Sequence, residues 1–176
     1  AEKLLTSLLV RARMVTAAGV TLFAPPALAW FLKPRHNMGA TEERTALVGH
    51  FTALDESDIL SATKVWMSCG DRVLEDLCRR FVNRDLLGIE LQRTPFSKEK
   101  VAETGRRAKA LLGLKDDEVI FYVNTGDVYN QTYAPGTPEV RILLKNGNTR
   151  DITAVSDLFD KEALSEKVTK YYLCYP

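Results

Sequence analysis

The sequence is poor in the residues that most enzymes use for chemistry. It holds two histidines and three cysteines in 176 residues. Neither His36 nor His50 has a second histidine three or four positions away, so no helical metal site can be built locally. Cys69, Cys78 and Cys174 are odd in number and lack metal-ligand spacing, which argues against a disulfide framework or zinc ribbon and fits a reducing compartment. A G-x-S-x-G elbow and a Walker lysine are both missing, and no cysteine has a histidine neighbour to lower its thiol pKa. Excess charge of one sign is absent too. Lys and Arg total 24 against 23 Asp and Glu, a net charge of +1, so no global field recruits nucleic acid or an anionic membrane. Long apolar runs are also lacking. Glu2, Lys3, Arg11 and Arg13 interrupt the first stretch, and nothing approaches the roughly 18 apolar residues of a membrane span. A cytoplasmic protein is expected.

What is present suits a globular fold. Apolar residues make up 45% and charged residues 27%, enough to bury the core of one domain or two small lobes. The sequence opens in mid-helix pattern, without an initiator Met or an N-cap, and reads as a piece of a longer chain. Leu4, Leu5, Leu8, Leu9, Ala12 and Val15 predict an amphipathic helix over 2–18, ended near Gly19. Pro25 and Pro26 can open a helix that stops at Lys33-Pro34, and Thr41 can cap another. Asp55 with Asp58 has the pattern of a capped helix start, with Ile59, Ala62, Thr63 and Trp66 on one face. Asp71 caps the next helix, whose buried stripe is Val73, Leu74, Leu77, Cys78, Phe81 and Val82. The pair should form a hairpin around Cys69-Gly70.

After Leu91 the pattern changes. Residues 98–112 predict a helix ending before Gly113. Val119–Val123 is apolar on both faces and reads as a central strand. NTGDVYNQTYAPG, which follows it, reads as a loop. Val140–Leu144 and Thr149–Thr153 flank a hairpin turn, a helix is expected at about 161–169, and Tyr171–Tyr175 closes the chain as a strand. The class is α+β: a helical lobe over 1–92, then a helix with a small antiparallel sheet over 93–176.

Basic clusters are the remaining candidates for chemistry. Arg79, Arg80 and Arg84 surround one helix end, with Arg80 and Arg84 a turn apart, where guanidinium groups could fork onto a phosphate. The same arginines could instead complement the helix dipole and pair with Glu75 or Asp76. Arg106, Arg107 and Lys109 read as a solvated helix face, and Lys33 with Arg35 beside His36 is a weak third group. A free-standing module that binds nucleotide or single-stranded nucleic acid through Arg79, Arg80 and Arg84 is the alternative function on residue pattern alone.

The stretch FTALDESDILSATKVWMSCGDRVLEDLCRRFVNRDLLGIEL, with its L-D-x-x-D-I opening, helix hairpin and N-R-x-L, resembles a family. It is similar to the region after the catalytic core in HD-domain metal-dependent phosphohydrolases of the dNTP triphosphohydrolase type, dGTPase-like and sterile-alpha-motif/HD-like. The later order of strands and the KVTKYYLCYP ending match as well. The resemblance implies a non-catalytic C-terminal region whose parent hydrolyses nucleotide phosphates. Catalytic residues and the divalent metal are then expected in an N-terminal HD lobe, since His36 precedes Asn37 and His50 precedes Phe51. It also implies oligomer contacts and an effector-nucleotide site in which Arg84, with Arg80 near it, touches phosphate. Gly88 and Ala154 stand where the family would place further phosphate-binding lysines.

Overall fold

The structure is a computed structural model that describes residues 1–33, 41–130, 141–151 and 168–176. It divides into two compact units. One comprises Ala1–Ile89, Lys98–Asn124 and Cys174–Pro176, the other Glu90–Ser97 and Thr125–Leu173. The helix over 98–112 thus clusters with the N-terminal helices rather than with the sheet residues that follow it.

Helix α1 (Glu2–Ala17) turns Leu4, Leu8, Ala12 and Val15 inward, the three- and four-residue spacing seen in the sequence. It packs on α5 (Arg72–Asn83), which buries Val73, Leu74, Leu77 and Cys78. Helix α4 (Glu56–Trp66) packs on α5 to complete the hairpin and buries Ala62, Thr63 and Trp66. The Trp66 indole N–H would be costly to bury unpaired, and it donates to the Phe23 carbonyl at 2.8 Å. Both expected caps form. Asp55 accepts from the Ser57 and Asp58 backbones while Asp58 accepts from the Asp55 N–H, and Asp71 accepts from the Leu74 N–H. Asp71 also receives two hydrogen bonds from Arg11 of α1, at 2.9 and 2.6 Å. That fork holds its carboxyl below the ordinary range, against the opposing effect of partial burial.

Helix α2 (Pro26–Leu32) starts at a proline as expected and buries Leu28, Trp30 and Leu32. Its Trp30 ring stacks on His50 of α3 (Thr41–Ala53), with centroids 5.4 Å apart. Helix α6 (Lys98–Leu112) ends at Gly113, which has φ +62°. Arg72, at the start of α5, donates to the Leu112 and Gly113 carbonyls that α6 leaves unpaired.

One expectation fails in this unit. Val119–Val123 is not a strand: Asp116–Phe121 forms a 3-10 helix, and Phe121 and Tyr122 enter the helical core. Three acidic residues open that turn, where the N-terminal dipole favours them, and the Glu118 carboxylate accepts from the Lys115 N–H at 2.8 Å. A short run apolar on both faces has no period that tells a buried strand from a buried helical turn.

Strands β1 (Gly88–Gln92), β2 (Asn124–Asn130) and β5 (Val168–Tyr175) form one sheet in the order β1-β5-β2. The expected loop after Val123 is therefore strand β2 as far as Asn130. Strand β5 begins at Val168, so the expected helix over 161–169 is wrong for its last two residues. Residues 161–167 lie outside the described ones. Val168 and Thr169 are β-branched and precede the tyrosines, and both residue types favour strand, which explains the earlier start. Two glycines admit the large rings of β5. A side chain at Gly88 would meet the Tyr175 ring, and one at Gly126 would meet Tyr172. The hairpin of β3 (Arg141–Leu143) and β4 (Thr149–Asp151) is antiparallel and pairs Ile142 with Arg150. Gly147, with φ +81°, makes its turn. Val140, Ile152 and Thr153 lie outside the described residues. The architecture is α+β.

Candidate phosphate-binding site

The three arginines at the end of α5 have different surroundings. Arg79 donates to Glu75, one turn back, at 2.7 Å and to the Met67 carbonyl at 3.0 Å. It ties α5 to the end of α4. Arg80 is more enclosed, with its side chain 17% exposed. Its Nε donates to Asp76 at 2.8 Å and its Nη1 to Asp85 at 3.2 Å. The same Asp76 oxygen accepts from the Tyr122 hydroxyl at 2.9 Å. Burial opposes the charge on Arg80, but Asp76 and Asp85 outweigh it and raise its pKa. Tyr122 is also raised, by burial first and then by Asp76. Arg80 is thus held by two carboxylates, Asp76 one turn back and Asp85 just past the helix.

Arg84 stands apart. It occupies the position just past α5 with φ 60° and ψ 27°, the left-handed conformation that usually belongs to glycine. Among the described residues it is the one non-glycine residue with positive φ. Its guanidinium has no hydrogen bond or ion pair with them. Together with Lys64 of α4 it edges a groove of about 400 Å³ floored by Leu60, Phe81, Val82 and Leu86. Lys64 is the residue the sequence reading missed. It faces solvent on α4, and only the packing of the hairpin brings it beside Arg84.

The other candidates contribute less. Arg107 pairs with Glu103, and Lys109 with Asp116 at 2.5 Å, as a solvated face would. Cys78 is buried, and desolvation pushes its thiol up to about 12. Burial raises Cys69 and Cys174 too, so none of the three is an activated nucleophile. At Gly88 a Cβ would meet the Tyr175 ring at 2.9 Å, so any side chain there needs that ring to shift. Arg35, His36 and Ala154 lie outside the described residues. Among the described residues, no three His, Cys, Asp or Glu side chains cluster closely enough to hold a metal ion. No described helix is long and apolar enough to cross a membrane.

No family model matches this chain. A crystal structure of a phosphohydrolase from Bacteroides thetaiotaomicron VPI-5482 superposes over 99% of it, with a TM-score of 0.81 and 33% identity. The fold is phosphohydrolase-like. The uncharacterized protein YwfO of Bacillus subtilis (strain 168) is 26% identical over 183 residues. This chain corresponds to 43% of the solved chain and 39% of the Bacillus protein, so it spans about two-fifths of each.

Proposed function

We propose that this chain is the non-catalytic C-terminal region of an HD-type, metal-dependent phosphohydrolase acting on nucleotide phosphates, dNTPs first among them. The observation that carries the reading is the match over nearly the whole chain, at 33% identity, to part of a solved phosphohydrolase. The HD metal and the residues that hold it would lie outside this chain. When bound, such a metal lowers the pKa of a water and polarises a phosphoryl oxygen. The residues here would support the catalytic lobe and contribute to subunit contacts.

Within that reading, Arg84 is the effector-phosphate contact and Arg80 its support. An arginine in the left-handed region costs about 1 kcal/mol relative to a relaxed backbone, and glycine would avoid that cost. Its exposed head, which makes no hydrogen bond or ion pair with the described residues, stands beside Lys64 and is what an incoming phosphate would use. Arg79 and Arg80 are already committed to carboxylates and a carbonyl, which favours this reading over a module that grips nucleic acid with all three. Both levels are tested on the full-length gene product. Phosphate release from dNTPs should require a divalent cation and stop with chelator; no release with any nucleotide overturns the enzyme reading. In Arg84→Ala, nucleotide stimulation should disappear while the basal rate persists. Unchanged stimulation removes the effector role.

A further inference from the structure

The groove beside Arg84 has a charged part and an apolar part. Arg84 and Lys64 are both exposed, and neither makes a hydrogen bond or ion pair with the described residues. Asp85, the carboxylate next to Arg84 in the chain, accepts instead from the Arg80 Nη1 at 3.2 Å. Two cations without a counter-charge among the described residues suit a phosphate, which carries about two negative charges at neutral pH. The apolar part consists of Leu60 of α4, Phe81 and Val82 of α5 and Leu86 beyond it, with Ala1 at the edge. Leu60 and Leu86 are each 44% exposed, and Phe81 is half-buried. The groove's volume of about 400 Å³ falls within the roughly 300–1,000 Å³ of small-molecule sites.

What the apolar part lacks decides what it can tell apart. Among the described residues, no Asn, Gln, Ser, Thr, Asp, Glu or His side chain lines the groove. Nucleobases differ in the donors and acceptors along their edges. A site that hydrogen-bonds such a group rejects an analogue without it by about 10⁴-fold, whereas an apolar pocket discriminates by roughly 10–200-fold per group. Apolar and aromatic side chains hold any base by its face, because every base has one. The phosphate end is fixed by charge and by the left-handed turn at Arg84, a conformation that persists only where the surroundings impose it.

We infer that this groove holds a nucleotide without reading its base: Lys64 and Arg84 share the phosphate, and Leu60, Phe81 and Leu86 carry the nucleoside. The inference rests on the effector role proposed above and deepens it by naming a second phosphate contact and the ligand class. The test is acetylation of Lys64 in the full-length gene product by an N-hydroxysuccinimide ester, read by mass spectrometry in pulses short against turnover. Lys145, exposed in the turn between β3 and β4, is the reference. At saturation dATP, dGTP, dCTP and dTTP should each slow Lys64 at least about five-fold relative to Lys145. Their half-protecting concentrations should lie within about ten-fold of one another. Inorganic tripolyphosphate should need at least about ten-fold more, since it leaves the apolar floor bare. Arg84→Gly, which suits the backbone there, should raise each half-protecting concentration at least about ten-fold. Protection by one base alone, tripolyphosphate as effective as the nucleotides, or concentrations unchanged in Arg84→Gly each overturns the inference. A Lys64 that no nucleotide protects does the same. Nucleotide stimulation of hydrolysis is measured on the same samples. If Arg84→Gly abolishes stimulation while Lys64 is unprotected or protected by one base, the effector role stands and only this account of the groove is wrong. If all four nucleotides protect Lys64 and no hydrolysis is detected, the groove stands and the phosphohydrolase reading falls.

Discussion

Helices α5 and α3 have nearly the same length, 12 and 13 residues, yet they belong to the fold in different ways. Helix α5 is fixed at both ends and along its inner stripe. Asp71 caps its start and is gripped by Arg11, four side chains are buried, and Arg79 and Arg80 bind its end to neighbouring residues. Helix α3 has a proper acidic first turn and hydroxyls satisfied within itself, but it buries nothing. Secondary structure follows local chemistry in both cases. Helix α5 draws the greater stability from its own unit, because burial rather than helix propensity supplies most of a helix's stabilisation.

Substitutions along this contrast should produce a graded series. Leu77→Ala, which opens a cavity in the fully enclosed stripe of α5, should cost about 3–5 kcal/mol in denaturant unfolding. A loss below 1 kcal/mol would show that the stripe collapses around the gap. Asp71→Ala removes a cap and strands the Arg11 fork, and should cost about 2–3 kcal/mol.

Asp71 also predicts a pH dependence. Its folded-state pKa lies below the ordinary value of 3.8, so its stabilising effect is complete above that value and is lost as pH falls through the folded pKa. Unfolding midpoints measured from neutral pH downward should therefore drop below about pH 4, and Asp71→Asn should flatten that limb. An unaltered acid limb in Asp71→Asn would assign the loss to other carboxylates.

Arg84→Gly should change stability in the other direction, by about 1 kcal/mol, because glycine accepts the left-handed conformation without strain. Destabilisation instead would mean that the guanidinium holds the end of α5 in place. The smallest effect belongs to α3. Phe51→Ser should shift the unfolding of this chain by less than about 0.5 kcal/mol, since the ring is exposed.

Helices, caps and the α5 stripe are legible in the sequence because their signals are local: spacing of three and four, Asp before an apolar run, proline at a first turn. Val119–Val123 misleads because burial on all sides erases periodicity. Strand β2 is hidden for the opposite reason, since Asn124, Gly126 and Asp127 resemble a turn, and only Tyr172 across the sheet explains the glycine. Of the candidate site, Arg84 and Arg80 can be picked out by their spacing. Which of them is spent on Asp76 and Asp85, and which lies beside Lys64 without such a partner among the described residues, is settled only by the fold.

The stack of His50 on Trp30 gives this protein a built-in optical probe. Both tryptophans are buried, and Trp66 is locked by its bond to Phe23 in the core, whereas Trp30 has its ring against α3. Loss of α3 should expose the Trp30 ring to water and shift its emission to the red, while Trp66 keeps its buried surroundings. If α3 lifts away first, that shift comes while the core tryptophan still reports a folded protein. Fluorescence alone would then follow the attachment of one helix separately from the melting of the rest.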